Sequence, residues 1–132
     1  MDMKLISDVL VFPTNPTQVA FVVESSDTSK LDSLNGFWVG TEGKAKIELN
    51  LSDGYTYQSQ PVLWRQPGGD FGPTPPPGFS VDRASDTQVI VTDDFQKGVN
   101  EGYFGFRLQF YDSFGTPLNA DPTIVNRPIE NG

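Results

Sequence analysis

Cysteine and histidine are both absent from this chain. Without cysteine there is no disulfide, no thiolate nucleophile, no zinc–thiolate site and no iron–sulfur cluster. The redox compartment stays open, because a chain without thiols is indifferent to it. Without histidine the commonest general base and the commonest transition-metal ligand are missing. A Ser-His-Asp triad therefore cannot be assembled within one chain. Positive charge is scarce as well: 9 Lys and Arg stand against 17 Asp and Glu, a net charge of −8. Such a chain repels phosphate backbones and anionic lipid, so nucleic acid and membrane surfaces are not expected as partners. The same charge serves to keep a small acidic domain in solution.

Long apolar runs are missing too. None reaches the roughly 18 residues that a membrane-spanning helix requires. The first residues, MDMKLISDVLVF, carry an acid at Asp2, a single lysine, and Asp8 within the apolar stretch. A secretory leader has a basic start and an unbroken apolar core, so the expectation is a cytoplasmic protein.

What the chain does contain is glycine, proline and aromatics. There are 13 Gly and 11 Pro in 132 residues, and aromatics make up 12%. Few segments are long enough for a helix without crossing one of the breakers, which favours short strands joined by turns. A chain of this length makes one domain and buries about two-thirds of its unfolded surface. Residues 1–132 are read as that single domain.

Two segments alternate cleanly. In Lys44–Leu51, Ala45, Ile47, Leu49 and Leu51 interleave with Lys44, Lys46, Glu48 and Asn50, giving one dry and one wet face. In Gly102–Asp112, Phe104, Phe106, Leu108 and Phe110 oppose Tyr103, Gly105, Arg107, Gln109 and Tyr111. Further strands are expected at Lys4–Phe12, Thr17–Ser25, Phe79–Arg83, Thr87–Thr92 and Leu118–Val125; Tyr55 and Tyr57 alternate again, and Pro61–Arg65 brings Val62, Leu63 and Trp64. Gly36–Gly40 is either a short strand or an aromatic plug. Ser26–Asn35 reads as a loop, with at most one helical turn. Asp93–Asn100 reads as an acidic connection.

QPGGDFGPTPPPG, residues 66–78, has nine Gly or Pro in thirteen positions. It is neither helix nor central strand, because proline donates nothing to a ladder; it must be a long loop. Seven to nine strands with turn signals every 8–12 residues predict an all-β fold. The expected form is an immunoglobulin-like two-sheet antiparallel β-sandwich with Greek-key connections, with a closed barrel as the alternative. Tyr103 stands where a tyrosine corner would, and serves equally as an ordinary half-buried aromatic.

The chain ends NADPTIVNRPIENG. Pro122 lacks a donor, so residues 118–126 read as a terminal edge strand, stopped by Asn126 and Pro128. This ending joins three earlier stretches: Lys46-Ile47-Glu48-Leu49-Asn50-Leu51 with Gly54-Tyr55-Thr56-Tyr57, then Pro61-Val62-Leu63-Trp64, then Thr92-Asp93-Asp94 before Tyr103–Phe110. Together they resemble the DP-EP family of small bacterial β-sandwich proteins over roughly residues 40–128. The resemblance implies an immunoglobulin-like sandwich and no activity. Arg127-Pro128 departs from it, where such endings often carry Glu-Pro.

Three constellations are candidates for function. Asp93, Asp94, Asp121 and the side-chain oxygen of Asn126 would share one pole of an immunoglobulin-like layout, and converging hard oxygens suit Ca²⁺. Their alternative role is turn formation. Trp38, Trp64, Tyr55 and Tyr57 offer a stacking platform for a sugar ring, or else core filling. Pro73–Pro77, PTPPP, offers a polyproline II ligand, or else a stiff loop whose removal leaves folding intact. Glu24, Glu42, Glu48 and Glu101 show no spacing that selects a catalytic pair. The expected function is a non-enzymatic interaction or assembly module with no cofactor, meeting a protein partner or a second copy through its loops or edge strands. The alternative is a carbohydrate- or calcium-binding module.

Overall fold

The computed structural model describes residues 4–15, 18–26, 29–33, 36–40 and 42–127; ahead of residue 42 it describes side chains only for Phe37 and Val39. The chain passes back and forth between two sheets. β1 (Lys4–Asn15) and β2 (Gln18–Ser26) lie in the first, and β3 (Ser29–Ser33) and β4 (Gly36–Val39) in the second. β5 (Gly43–Leu51) returns to the first, while β6 (Thr56–Arg65) and the two-residue β7 (Phe71–Gly72) belong to the second. β8 (Phe79–Arg83) and β9 (Gln88–Phe95) complete the first sheet; β10 (Gly102–Tyr111), β11 (Pro117–Ala120) and β12 (Thr123–Asn126) complete the second. The orders are β2-β1-β5-β9-β8 and β3-β4-β12-β10-β6-β7, with β11 beside β10. Each sheet contains one parallel junction, β1 with β5 and β4 with β12; the other pairings are antiparallel. The fold is an all-β, two-sheet sandwich, with more and shorter strands than the turn spacing predicts.

Both alternating segments behave as expected. In β5, Ala45, Ile47, Leu49 and Leu51 are buried; opposite Ile47 and Leu49, β9 buries Val91 and Val89, and it buries Phe95 opposite Gly43. Phe106, Leu108 and Phe110 of β10 form the opposing layer with Val62 and Trp64 of β6. An aromatic chain crosses between the layers. Phe79 of the first sheet lies 5.1 Å from Trp64 and 4.8 Å from Phe104 of the second, and Trp64 lies 5.5 Å from Phe106. Tilted pairs of this kind add about 0.5–1.5 kcal/mol each beyond the area they bury. The Tyr57 hydroxyl donates to the Leu49 carbonyl across the layers at 2.9 Å. Burial raises its pKa well above the usual phenol value and keeps it a donor.

Three expectations need correction. Ser29–Ser33 is a strand, not a loop: β3 pairs antiparallel with β4. β12 is not an edge strand, for it pairs with β10 on one side and with β4 on the other. Pro122 sits in the gap between β11 and β12, where its carbonyl accepts the Phe106 N–H at 3.0 Å. Its missing donor therefore falls outside the β12 ladder and leaves both edges of Thr123–Asn126 available. Pro128 lies outside the described residues. Tyr103 is 71% exposed, so it is not a buried corner. Pro61 is accommodated by a register shift in β6 opposite Leu108 and Phe110, as a donorless residue requires.

Trp64 is 1% exposed and Phe114 is 92% exposed. Trp64→Ala should therefore lower unfolding free energy by about 3–5 kcal/mol through lost burial and a residual cavity. Phe114→Ala should stay within about 0.5 kcal/mol of the parent. Urea unfolding midpoints of the two variants check both figures.

Candidate functional site

The loop after β6 is built by its glycines and one glutamine. Gly68 and Gly69 have φ of +101° and +98°, a backbone that only glycine adopts without strain. The resulting turn is closed by Gly69 N–H to the Gln66 carbonyl at 2.9 Å and Gln66 N–H to the Asp70 carbonyl at 2.6 Å. The chain comes back as β7, opposite Trp64 and Arg65. The Gln66 side chain then holds the next stretch, its Nε2 donating to the carbonyls of Trp64 at 3.0 Å and Thr74 at 2.9 Å. At the far end the Asn100 amide donates to the Pro77 carbonyl at 3.2 Å. A Cβ at Gly78, where φ is +85°, would lie 2.4 Å from that amide nitrogen and 2.9 Å from the Asp94 carbonyl. The proline stretch is thus pinned at both ends.

Under it lies a cleft of about 450 Å³. Arg65, Gln66 and Pro67 form one wall, residues 74–77 the second, and residues 103–105 of β10 the floor. A smaller groove of about 270 Å³ runs on the other side of Pro75, against Pro61, Val81 and Arg83. Gly105 lets Arg65 cross the floor: a Cβ there would stand 3.2 Å from the Arg65 Nε. The Arg65 guanidinium lies 4.8 Å above the Phe71 ring, and that of Arg107 lies 4.2 Å from the same ring. Arg107 is engaged by both carboxylate oxygens of Asp121, at 2.7 and 3.1 Å. Among the described residues Arg65 has no carboxylate partner.

The four acidic-pole candidates separate into three places. Asp93 and Asn126 do meet: Asn126 Nδ2 donates to Asp93 Oδ1 at 3.0 Å and to the Asn100 carbonyl at 3.0 Å, with both side chains fully buried. Asp94, next along β9, points the other way and accepts from Gln96 Nε2. Asp121 belongs to the ion pair with Arg107 on the outer face of the second sheet. The reading of Asp93-Asp94 as a connection fails because β9 runs on to Phe95, and neighbouring residues of a strand face opposite sides. Among the described residues no group of three or more His, Cys, Asp or Glu is placed to hold a metal ion.

The described side chains of the aromatic set do not form a platform. Trp64 and Tyr57 are core residues, and Tyr55 is half-buried edge-on against Phe110 at 6.4 Å. The side chain of Trp38 lies outside the described residues. The residues that line the cleft, Arg65, Gln66 and Tyr103, are ones that residue-type reasoning passes over. The available signal was Tyr103 itself, on the wet face of a strand whose dry face is otherwise all phenylalanine and leucine.

Among the described residues no helix is long and apolar enough to cross a membrane. Comparison with protein-family models, curated proteins and solved structures finds no match for this chain.

Asp93 carries a direct pH consequence. Burial raises its pKa from 3.8 to about 7, against the lowering effect of the Asn126 hydrogen bond and with a smaller raising contribution from Asp94. The folded protein thus holds a proton that the unfolded chain releases near pH 4. Stability is undiminished below that pH, falls as the pH climbs from about 4 to about 7, and stays low above it. The shift is worth on the order of 4 kcal/mol. Asp93→Asn keeps the size and removes the ionisation, so its unfolding free energy should be flatter across this window. Chemical denaturation at pH 4.5, 6 and 8 measures the two slopes; equal slopes would rule out Asp93 as their source.

Proposed function

We propose that this chain is a non-enzymatic interaction module whose working surface is the cleft between the proline stretch 74–77 and the start of β10. The observation that carries this reading is the cleft's construction. A stiff wall is fixed at both ends by Gln66 and Asn100 over a floor that presents Tyr103 to solvent. Preordered concave sites with apolar walls and a few polar groups are where ligands bind. A protein partner suits it better than a sugar, since the only indole described is buried. The same proposal takes the sandwich to be immunoglobulin-like and of the DP-EP type, supported by the order of motifs between residues 46 and 126.

An amide-detected NMR titration of the ¹⁵N-labelled chain separates the readings. The additions are a random hexapeptide pool, a mixed oligosaccharide pool and CaCl₂, one at a time. The peptide pool should shift the amides of residues 65, 66 and 103–105, and the other two should leave them in place. Shifts confined to the oligosaccharide or calcium additions would replace the proposal by the carbohydrate or calcium reading.

A further inference from the structure

The floor of the cleft is also an open sheet edge. Residues 102–105 of β10 pair with β12 on one side, whereas β6 comes into register with β10 only at Phe106, opposite Trp64. Beyond Arg65 the chain leaves β6 for the glycine turn, so among the described residues no strand lies opposite residues 102–104 on that side. The direction of the backbone groups follows from pairing geometry. Phe106 N–H points to β12, where it meets the Pro122 carbonyl. In an antiparallel ladder alternate residues point alternate ways, so Phe104 also faces β12 and Tyr103 faces the cleft with both its N–H and its C=O. The wall that overlooks this edge contains Pro75, Pro76 and Pro77, which have no N–H to offer it.

We propose that the cleft accepts an extended segment of a partner protein that adds as a strand along residues 102–105 of β10, with an acidic side chain meeting Arg65. The inference rests on the reading of the cleft as the working surface and goes further by specifying how it binds. Strand addition draws affinity from main-chain hydrogen bonds, and selectivity from pockets for alternate side chains. Four strand residues span about 13 Å, so the segment that contacts the edge is short. Arg65 supplies the charge preference: its guanidinium donates to the Gly69 carbonyl and has no carboxylate partner among the described residues, in a chain of net charge −8. Tyr103 supplies an amphipathic face for one side chain of the incoming strand.

The test is a random hexapeptide library displayed on phage and panned on the full chain, followed by synthesis of the enriched peptides. Enriched sequences should share an Asp or Glu, and fluorescence anisotropy should give affinities that fall roughly fivefold for Arg65→Gln. Replacing the acidic residue of the peptide by its amide should then cost no more against that variant. The decisive readout is N-methylation of the peptide backbone, one residue at a time. Methylation at alternate positions should weaken binding by roughly tenfold or more, and methylation between them should have little effect. A uniform response to methylation would overturn strand addition while leaving the cleft as a binding surface. Binding that ignores Arg65→Gln and Tyr103→Ala and shifts amides elsewhere would overturn both readings. No enriched peptide, together with a concentration-dependent dimer by native mass spectrometry that Tyr103→Ala abolishes, would assign the edge to a second copy instead.

Discussion

A buried carboxyl needs a partner, and in this sandwich the search for one ties four separate pieces of chain together. Asp93 projects from the first sheet into the core, where an uncompensated polar group costs several kcal/mol. Asn126, at the end of the second sheet, gives it one hydrogen bond and gives a second to the Asn100 carbonyl. Asn100 in turn accepts from Gln96 N–H with its side-chain oxygen and donates to the carbonyls of Asp94 and Pro77. The series fixes β9 to β12, shapes the turn that leads into β10, and holds the exit of the proline stretch. Asp93 Oδ2 and Asn126 Oδ1 remain without partners. A proton on the Asp93 carboxyl removes the charge that burial penalises and turns one of its oxygens into a donor. The raised pKa of Asp93 and the geometry of the pair are therefore two views of one constraint.

What the sequence disclosed follows how strictly each segment obeys a period. β5 alternates throughout and β10 from Phe106 on, with Phe104 only half-buried against the core. β9 was cut short because aspartate is depleted in strands, yet Val89, Val91, Asp93 and Phe95 keep the same period and are all buried. An aspartate inside an otherwise apolar alternation is a sign of a buried polar pair, and its partner was already suspected in Asn126. β12 was misplaced for a different reason. A proline was taken to describe the strand that follows it, whereas it describes only its own position in the ladder. The four residues after Pro122 are free on both sides, which is why three of the four are buried.

The candidate site was less legible than the fold, because it is made by what strands fail to do. No residue type in Arg65, Gln66 or Tyr103 announces binding, and the cleft exists only because β6 departs from β10 two residues before a glycine turn. Trp64 and Tyr57, chosen for their chemistry, went to the core because large aromatics contribute most there. The long loop stands where it was expected except for the two-residue β7 inside it, and its interior hydrogen bonds from Gln66 were not foreseeable from composition. With those bonds and the Asn100 contact it is a wall pinned at both ends rather than a freely presented ligand.

Under the proposed strand addition, that wall is what keeps the exposed edge selective. An unpaired edge recruits other chains, and natural sheets blunt it with proline, charge or cover. Here the cover is proline, which closes off the approach without offering donors that would pair with the edge and fill it. The same residues lose little conformational entropy on binding, since their backbone is already restricted and anchored. A segment that enters must be extended and narrow enough to pass under residues 74–77, and it must tolerate the guanidinium at one end. Stiffness in the loop and openness in the strand are complementary conditions. If the loop were flexible it would collapse onto the edge, and if β6 ran two residues further there would be no edge to offer.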